Sequence, residues 1–357
     1  MKKIALALTL SAFSFLLNAQ TKKVLLEEFS GAHCGNCPMG SYTLDSLLGI
    51  YPDLIGVTLH SYQVPDAMFF PQIDTIGTAY APGAPLGAID RIYNASWGYV
   101  GEISTNWGTR IQTRLLVPPQ LSVSVNSTWN SISRNISTQI TTNILANMTS
   151  GDYRFNLYVV EDSVLTTGAG YDQTNLYNTI AGNPFYGMGD PIIGYVHRHV
   201  VRAILPQSWG QAGIISSTPT TGQNFTTTIN YVLPAAYNEN RIRLVAFVSN
   251  FSSNHQGDEV LNAIEVPLQL SSGINDETVE NNISIFPNPT KGFFSIDSKF
   301  DNAEIVIYNT FGEMVLTQTL EDKKEFMDIS SLASGIYFIR LSQGNKIMGT
   351  NKLLITD

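Results

Sequence analysis

The stretch VLLEEFSGAHCGNCPMG, residues 24–40, decides how the rest of the chain is read. An apolar run of strand length (Val24, Leu25, Leu26, Phe29) stops at Ser30 and Gly31, and a run of helix length, PMGSYTLDSLLGIY, opens at Pro38. Between them stand Cys34 and Cys37, the only two cysteines in 357 residues. In the helical run Met39, Tyr42, Leu47 and Tyr51 fall on roughly one side, the side expected to pack on a sheet. LIGVTLH, LGAID and EISTNWGTRIQTRLL continue the alternation of strand and helix, the last with Ile103, Trp107, Ile111 and Leu115 four residues apart. VPPQ (residues 117–120) cannot extend that helix and closes an α/β segment, 20–118.

Beyond it the period becomes two. LSVSV, ISTQITTNI, YRFNLYVV, FTTTINYVL, RIRLVAFVSN and VLNAIEVPL alternate apolar with polar side chains, which predicts a β-sandwich over 119–270. Residues 166–195, rich in Gly, Asn, Tyr and Pro and without periodicity, read as a surface loop. In YVHRHVV, His197 and His199 alternate on a predicted strand and share a face, with Tyr195, Arg198 and Arg202 suggesting a hydrogen-bonded surface strand. SSGINDETVENN (271–282) reads as a linker, and 283–357 carries further strand-length runs separated by Gly, Asn and Asp, a small β-sandwich of its own. The fold class expected is multidomain, α/β plus all-β.

The first residues, MKKIALALTLSAFSFLLNAQ, have a positive start, an apolar run and Ala19 at a cleavage position, the pattern of a signal peptide over 1–19. The run is shorter than the roughly 18 residues of a spanning helix, and no transmembrane helix is expected in the mature chain. Charged residues make up only 14%, with Ser, Thr and Asn in their place, as on an exported surface. With 20 basic against 29 acidic residues and no Lys/Arg cluster, nucleic acid is excluded as a partner.

Two sulfurs so close in sequence invite chemistry. A cysteine at a helix N-terminus meets unpaired amides and the positive end of the dipole, which favour the thiolate, and a neighbouring thiol can resolve a mixed disulfide within one molecule. Cys34 would attack and Cys37 resolve, and a protonated His33 could stabilise the thiolate. The competing reading is a fixed disulfide in an oxidising compartment. As a brace it is poor, because closing so short a loop stabilises by only about 2 kcal/mol. A zinc site on Cys34, Cys37, His33 and His60 would need adjacent His33 and Cys34 to turn to one ion, so no metal is assigned and no cofactor is expected. No Ser-His-Asp set, H-E-x-x-H, phosphate loop or dinucleotide fingerprint is present.

A Cys-x-x-Cys that ends an apolar strand and opens a helix resembles thioredoxin-like folds. The resemblance implies that Glu28, six residues before Cys34, is a buried carboxylate relaying protons to the resolving sulfur. It also implies that Pro85 of GAPLGAID is the cis-proline beside the cysteine pair, with Pro82 the weaker candidate. The Trp that precedes the motif in thioredoxins is His33 here. VLLEEFSGAHCGNCPMG, GAPLGAIDR and YVHRHVVRAILPQSWG together resemble a bacterial surface family named for a 28-kilodalton outer-membrane protein. FPNPTKG, IYNTFGEMV, LASGIYFIRL and the terminal KLLI resemble the type A C-terminal sorting domain of type IX secretion, with Phe286, Pro287, Asn288, Pro289, Gly292, Gly312, Gly335 and Tyr337 as its signal residues. These resemblances imply an exported protein at the cell surface or in the medium, the type IX machinery as a partner and a thiol-containing protein as a possible client. The alternative is a non-catalytic surface binding protein with an inert disulfide.

Overall fold

The computed structural model describes residues 21–60, 64–269, 283–310, 312–343 and 346–356. The expected signal peptide and linker lie outside them. The chain forms two compact units, Met1–Ser271 and Ser272–Asp357.

In the first unit β1 (Val24–Ser30), α1 (Cys37–Ile50), β2 (Leu54–His60), α2 (Pro71–Tyr80), β3 (Leu86–Ile89) and α3 (Ser104–Leu115) come first. β4 (Leu121–Asn130), β5 (Asn135–Ile144), β6 (Tyr153–Glu161), β7 (Val200–Leu205), β8 (Asn224–Val232), β9 (Ile242–Asn250) and β10 (Glu259–Pro267) follow. β1 and β2 are parallel, joined through α1, and β3 is antiparallel to β1. Every residue of β1 and β2 is buried because both faces are covered. Val24 and Leu26 meet Leu44, Leu47, Trp107 and Ile111 of α1 and α3, while Leu25 and Phe29 share a core with Ile73, Ile76 and Tyr80 of α2.

The sequence pattern divides this unit at 118–119, whereas its main sheet draws strands from both sides of that point. Seven strands run in the order β10-β9-β6-β7-β2-β1-β3. The junction is a short parallel contact, Thr58 opposite Val200, with Thr58 N–H donating to His199 O at 2.7 Å. β4, β5 and β8 form a separate three-stranded sheet. Leu121, Val123 and Ile140 from it pack against Phe155, Leu157, Leu244 and Ala246, so the sandwich covers one end of the long sheet. β6 can bridge both layers because Phe155 and Leu157 face the sandwich while Tyr158 and Val160 face the α2 side.

Three local expectations change. β7 is a central strand, not a surface one: VVRAIL is apolar on both faces, and its Arg202 is buried against Glu161 at 2.8 Å. On α1 the buried residues beyond the cysteine and proline are Gly40, Leu44 and Leu47, while Tyr42 is 48% exposed, because the bare backbone of Gly40 is what lets this face of the helix lie against Glu28 and Pro85. The segment between β6 and β7 is folded inward, with Gln173, Asn175, Phe185 and Ile192 buried.

The second unit comprises β11 (Ile283–Phe286), β12 (Phe293–Ser298), β13 (Ala303–Tyr308), β14 (Met314–Leu320), β15 (Lys324–Asp328), β16 (Gly335–Gln343) and β17 (Lys346–Ile355). Sheets β11-β12-β15 and β14-β13-β16-β17 enclose a core that includes Phe294, Ile296, Ile305, Ile307, Met327, Ile339 and Leu353.

Candidate functional site

The cysteine turn sits where β1 hands over to α1. Cys37 is the first residue of the helix and Cys34 lies in the turn before it, with Cys37 N–H donating to Cys34 O at 3.1 Å. The two are joined as a disulfide, Cα to Cα 5.3 Å. Cys34 is 3% exposed and Cys37 is fully buried, whereas His33 between Ala32 and Cys34 is exposed.

The alternation of β1 turns Glu28 toward α1. Ser41 Oγ donates to its carboxylate at 3.1 Å and 3.3 Å, and Thr58 Oγ1, opposite on β2, donates at 3.2 Å. Burial pushes the Glu28 pKa up to about 8; the two hydroxyls restrain the rise and Asp45 adds to it. The Ala84–Pro85 peptide is cis, and a Cβ placed on Gly40 would come within 2.6 Å of both Pro85 Cβ and Glu28 Oε1. Gly40 and Ser41 are three and four residues after Cys37, on the same helix face, so Glu28 and Pro85 both lie one turn from the sulfur-bearing end. Pro82 forms no such contact with Gly40.

A second polar group flanks the turn. Asp66 accepts from Ala32 N–H at 2.7 Å, from Met68 N–H at 2.8 Å and from His60 Nδ1 at 2.6 Å. Burial works to raise the Asp66 pKa, but these hydrogen bonds and the His60 charge outweigh it and hold the carboxyl below its usual range. The His197 ring lies 5.2 Å from that of His60 and donates through Nε2 to Tyr171 O at 2.7 Å. Burial and the neighbouring His60 push the His197 pKa down to about 4. His199 turns elsewhere, to Asp45 at 2.9 Å and Arg243 at 2.6 Å, because its backbone has φ +57° and breaks the extended run. The shared face expected of His197 and His199 is therefore not formed. Among the described residues no three His, Cys, Asp or Glu side chains converge as metal ligands.

Sequence reasoning missed the cover over the disulfide. Thr174 N–H donates to Ala32 O at 2.8 Å and Leu176 N–H to Gly35 O at 3.0 Å. The Gln173 amide, with two N–H groups, reaches Cys34 O at 2.9 Å, Ala32 O at 3.1 Å and Gly31 O at 3.3 Å. Ser41, Thr58, Asp66 and Gln173 carry no local motif, and only their partners in space mark them out.

In the second unit the FPNP residues clamp a strand edge. Phe286–Pro287 and Asn288–Pro289 are cis, and Asn288 donates to Lys352 O at 2.6 Å and accepts from Leu354 N–H at 2.9 Å, holding β17. Gly292 and Gly312 have φ of +125° and +81°, a region that favours glycine. Gly335 opens β16, and Tyr337, two residues on, is buried with its hydroxyl donating to Ala333 O at 2.9 Å. Phe286 is 78% exposed.

Residues 284–356 match the family model for the secretion system C-terminal sorting domain. Residues 75–270 match that for outer membrane protein Omp28. HBP35 of Porphyromonas gingivalis aligns over 94% of this chain and 99% of its own at 18% identity, TM-score 0.54, a likeness of fold. A domain of the outer membrane lipoprotein Omp28 from the same organism aligns over 43% of this chain and 90% of its own at 14% identity, TM-score 0.24. No curated protein matches the sequence. The sorting tail and the family together make this an exported protein, destined for the cell surface or secreted. Because the second match spans more than half of the 357 residues, the chain belongs to the Omp28 outer membrane protein family.

Proposed function

We propose that this exported protein exchanges thiols and disulfides through Cys34 and Cys37, in a thioredoxin-like frame formed by β1, α1, β2 and β3. The observation that supports the reading is that a buried Glu28, with no cation beside it among the described residues, and cis Pro85 both approach Gly40 of α1, three residues after Cys37. Written from the disulfide form, a client thiolate attacks Cys34 Sγ, the Cys34–Cys37 bond breaks, and Cys37 leaves as a thiolate that takes up the proton held by Glu28 at neutral pH. A second client thiol then attacks the client sulfur of the mixed disulfide. That releases Cys34 and leaves the client oxidised by two electrons. The reverse course reduces a client through the same atoms, with Cys34 as nucleophile, Cys37 resolving and Glu28 accepting the Cys37 proton.

The test is a redox titration of the full chain in glutathione buffers, with the two cysteines read by alkylation and mass. A midpoint between roughly −120 and −270 mV supports exchange, and a disulfide still closed below about −300 mV refutes it. The burial of both cysteines favours a second reading, a surface binding protein with an inert disulfide. The same titration decides between them.

A further inference from the structure

The strap between β6 and β7 crosses the disulfide in a way that points to what else binds there. Thr174 and Leu176 donate alternate main-chain N–H groups into Ala32 O and Gly35 O, Leu176 opening the turn that runs to residue 179. Leu176 rests on Gly35, between the two cysteines; a Cβ on Gly35 would collide with Leu176 Cγ. The main-chain part of this pairing uses groups that almost any polypeptide carries, and the side-chain contact asks only for a branched aliphatic residue. The outcome is a Cys34 that is 3% exposed, which an attacking thiolate on another protein cannot reach in line with the disulfide.

The strap is also built as a unit that holds its own shape. Asn175 Nδ2 donates to Phe185 O at 3.0 Å and to Gly189 O at 2.9 Å, Asn175 N–H donates to Asp190 at 2.9 Å, and Gln173 and Ile192 exchange main-chain hydrogen bonds. Its grip on the far side of the turn is slight: Asn183 meets Met39 Sδ at 3.4 Å, and the Phe185 and Tyr42 rings touch edge-on at 6.3 Å. Leu176 itself is 57% exposed. Glycines with positive φ stand at both ends, Gly168 and Gly170 on one side and Gly194 on the other.

We infer that residues 173–176 occupy the place of the client, which is a polypeptide segment that displaces the strap, pairs through its main chain with Ala32 O and Gly35 O, and seats a branched aliphatic side chain on Gly35. This rests on the exchange reading above. The strap then sets both access to the disulfide and the kind of segment accepted.

The experiment uses the oxidised full chain with Leu176→Ala, a change at an exposed side chain, and Gln173→Ala, with circular dichroism as the control for folding. Reduction is followed by alkylation and intact mass with two donors, a reduced thioredoxin and dithiothreitol. Each donor gives two electrons and two protons to the Cys34–Cys37 bond and is itself oxidised to a disulfide. The thioredoxin should reduce the Leu176→Ala chain about tenfold faster than the native chain, the factor that a lost contact of hydrogen-bond strength gives, and Leu176→Ile should return the native rate. A synthetic peptide of residues 171–178, YDQTNLYN, should slow reduction of the Leu176→Ala chain, and the same peptide with Ala at its leucine should not. Equal rates for native and variant chains would overturn the strap as a cover. Faster reduction without any effect of the peptide would overturn its role as a stand-in for the client. Neither result depends on the midpoint potential of the native chain, so a failure of the exchange reading itself would be seen separately.

Discussion

Replacing Glu28 by Gln isolates the buried carboxylate that faces Ser41 and Thr58. Its pKa stands at about 8 against a usual 4.5 because burial penalises the charged form. The folded chain therefore binds this proton more tightly than the unfolded chain. Below pH 4.5 both states hold it and nothing is lost. As pH rises from 4.5 to 8 the unfolded chain gives the proton up freely while the folded chain must keep it, and stability falls. The slope is about 1.4 kcal/mol per pH unit, reaching about 5 kcal/mol above pH 8. Glu28→Gln removes the titration while an uncharged side chain of the same shape still faces Ser41 and Thr58. Urea unfolding of the oxidised native and variant chains, from pH 4.5 to 9, should show the variant gaining on the native chain across that window and levelling off above it. A difference that stays flat with pH would mean that Glu28 titrates in its ordinary range, and the proton relay drawn beneath Cys37 would fall with it.

Two further outcomes test other parts of the structure. Gly40→Ala puts a methyl 2.6 Å from Pro85 Cβ and Glu28 Oε1, and should cost about 1–3 kcal/mol as an overpacked contact, seen as a lower Tm; an unchanged Tm would refute the close approach of α1 to the Pro85 loop. Removing residues 283–357 should leave the protein in the periplasm on cell fractionation, and its arrival at the surface without them would refute the sorting role of the tail.

How much of this was legible in the sequence follows from the range of each interaction. β4, β5, β6, β8, β9 and β10 coincide with runs of period two, and α3 with its stripe at Trp107 and Ile111, because alternation and helical spacing are written into neighbouring residues. The turn holding Cys34 and Cys37 was legible for the same reason. The seven-stranded sheet was not, since a strand announces its faces but not its neighbour, and β2 and β7 join through a contact between residues 58 and 200. His199 was misplaced on a strand face by one residue of positive φ, which no period reveals. The strap left no periodic trace, and much of its hold on the cysteine turn runs through backbone carbonyls, which every sequence possesses.

Adjacent carboxylates on β1 show how position rather than residue type sets the chemistry here. Glu27 points to one face of the sheet and is held by Arg91 through two hydrogen bonds of 2.8 Å and by Tyr158 at 2.6 Å. A buried acid so paired fixes the fold, since breaking such a pair leaves an uncompensated charge inside. Glu28 points to the other face and meets the hydroxyls of Ser41 and Thr58, neither of which carries charge. With burial penalising its charge and Asp45 adding to that, Glu28 keeps its proton near neutral pH and releases it only modestly above. A carboxyl placed for structure alone would be better served by the cation that its neighbour has. One poised to lose and regain a proton beside a helix that begins with Cys37 is served by the environment Glu28 has, which is why proton transfer to that sulfur is the chemistry proposed for it.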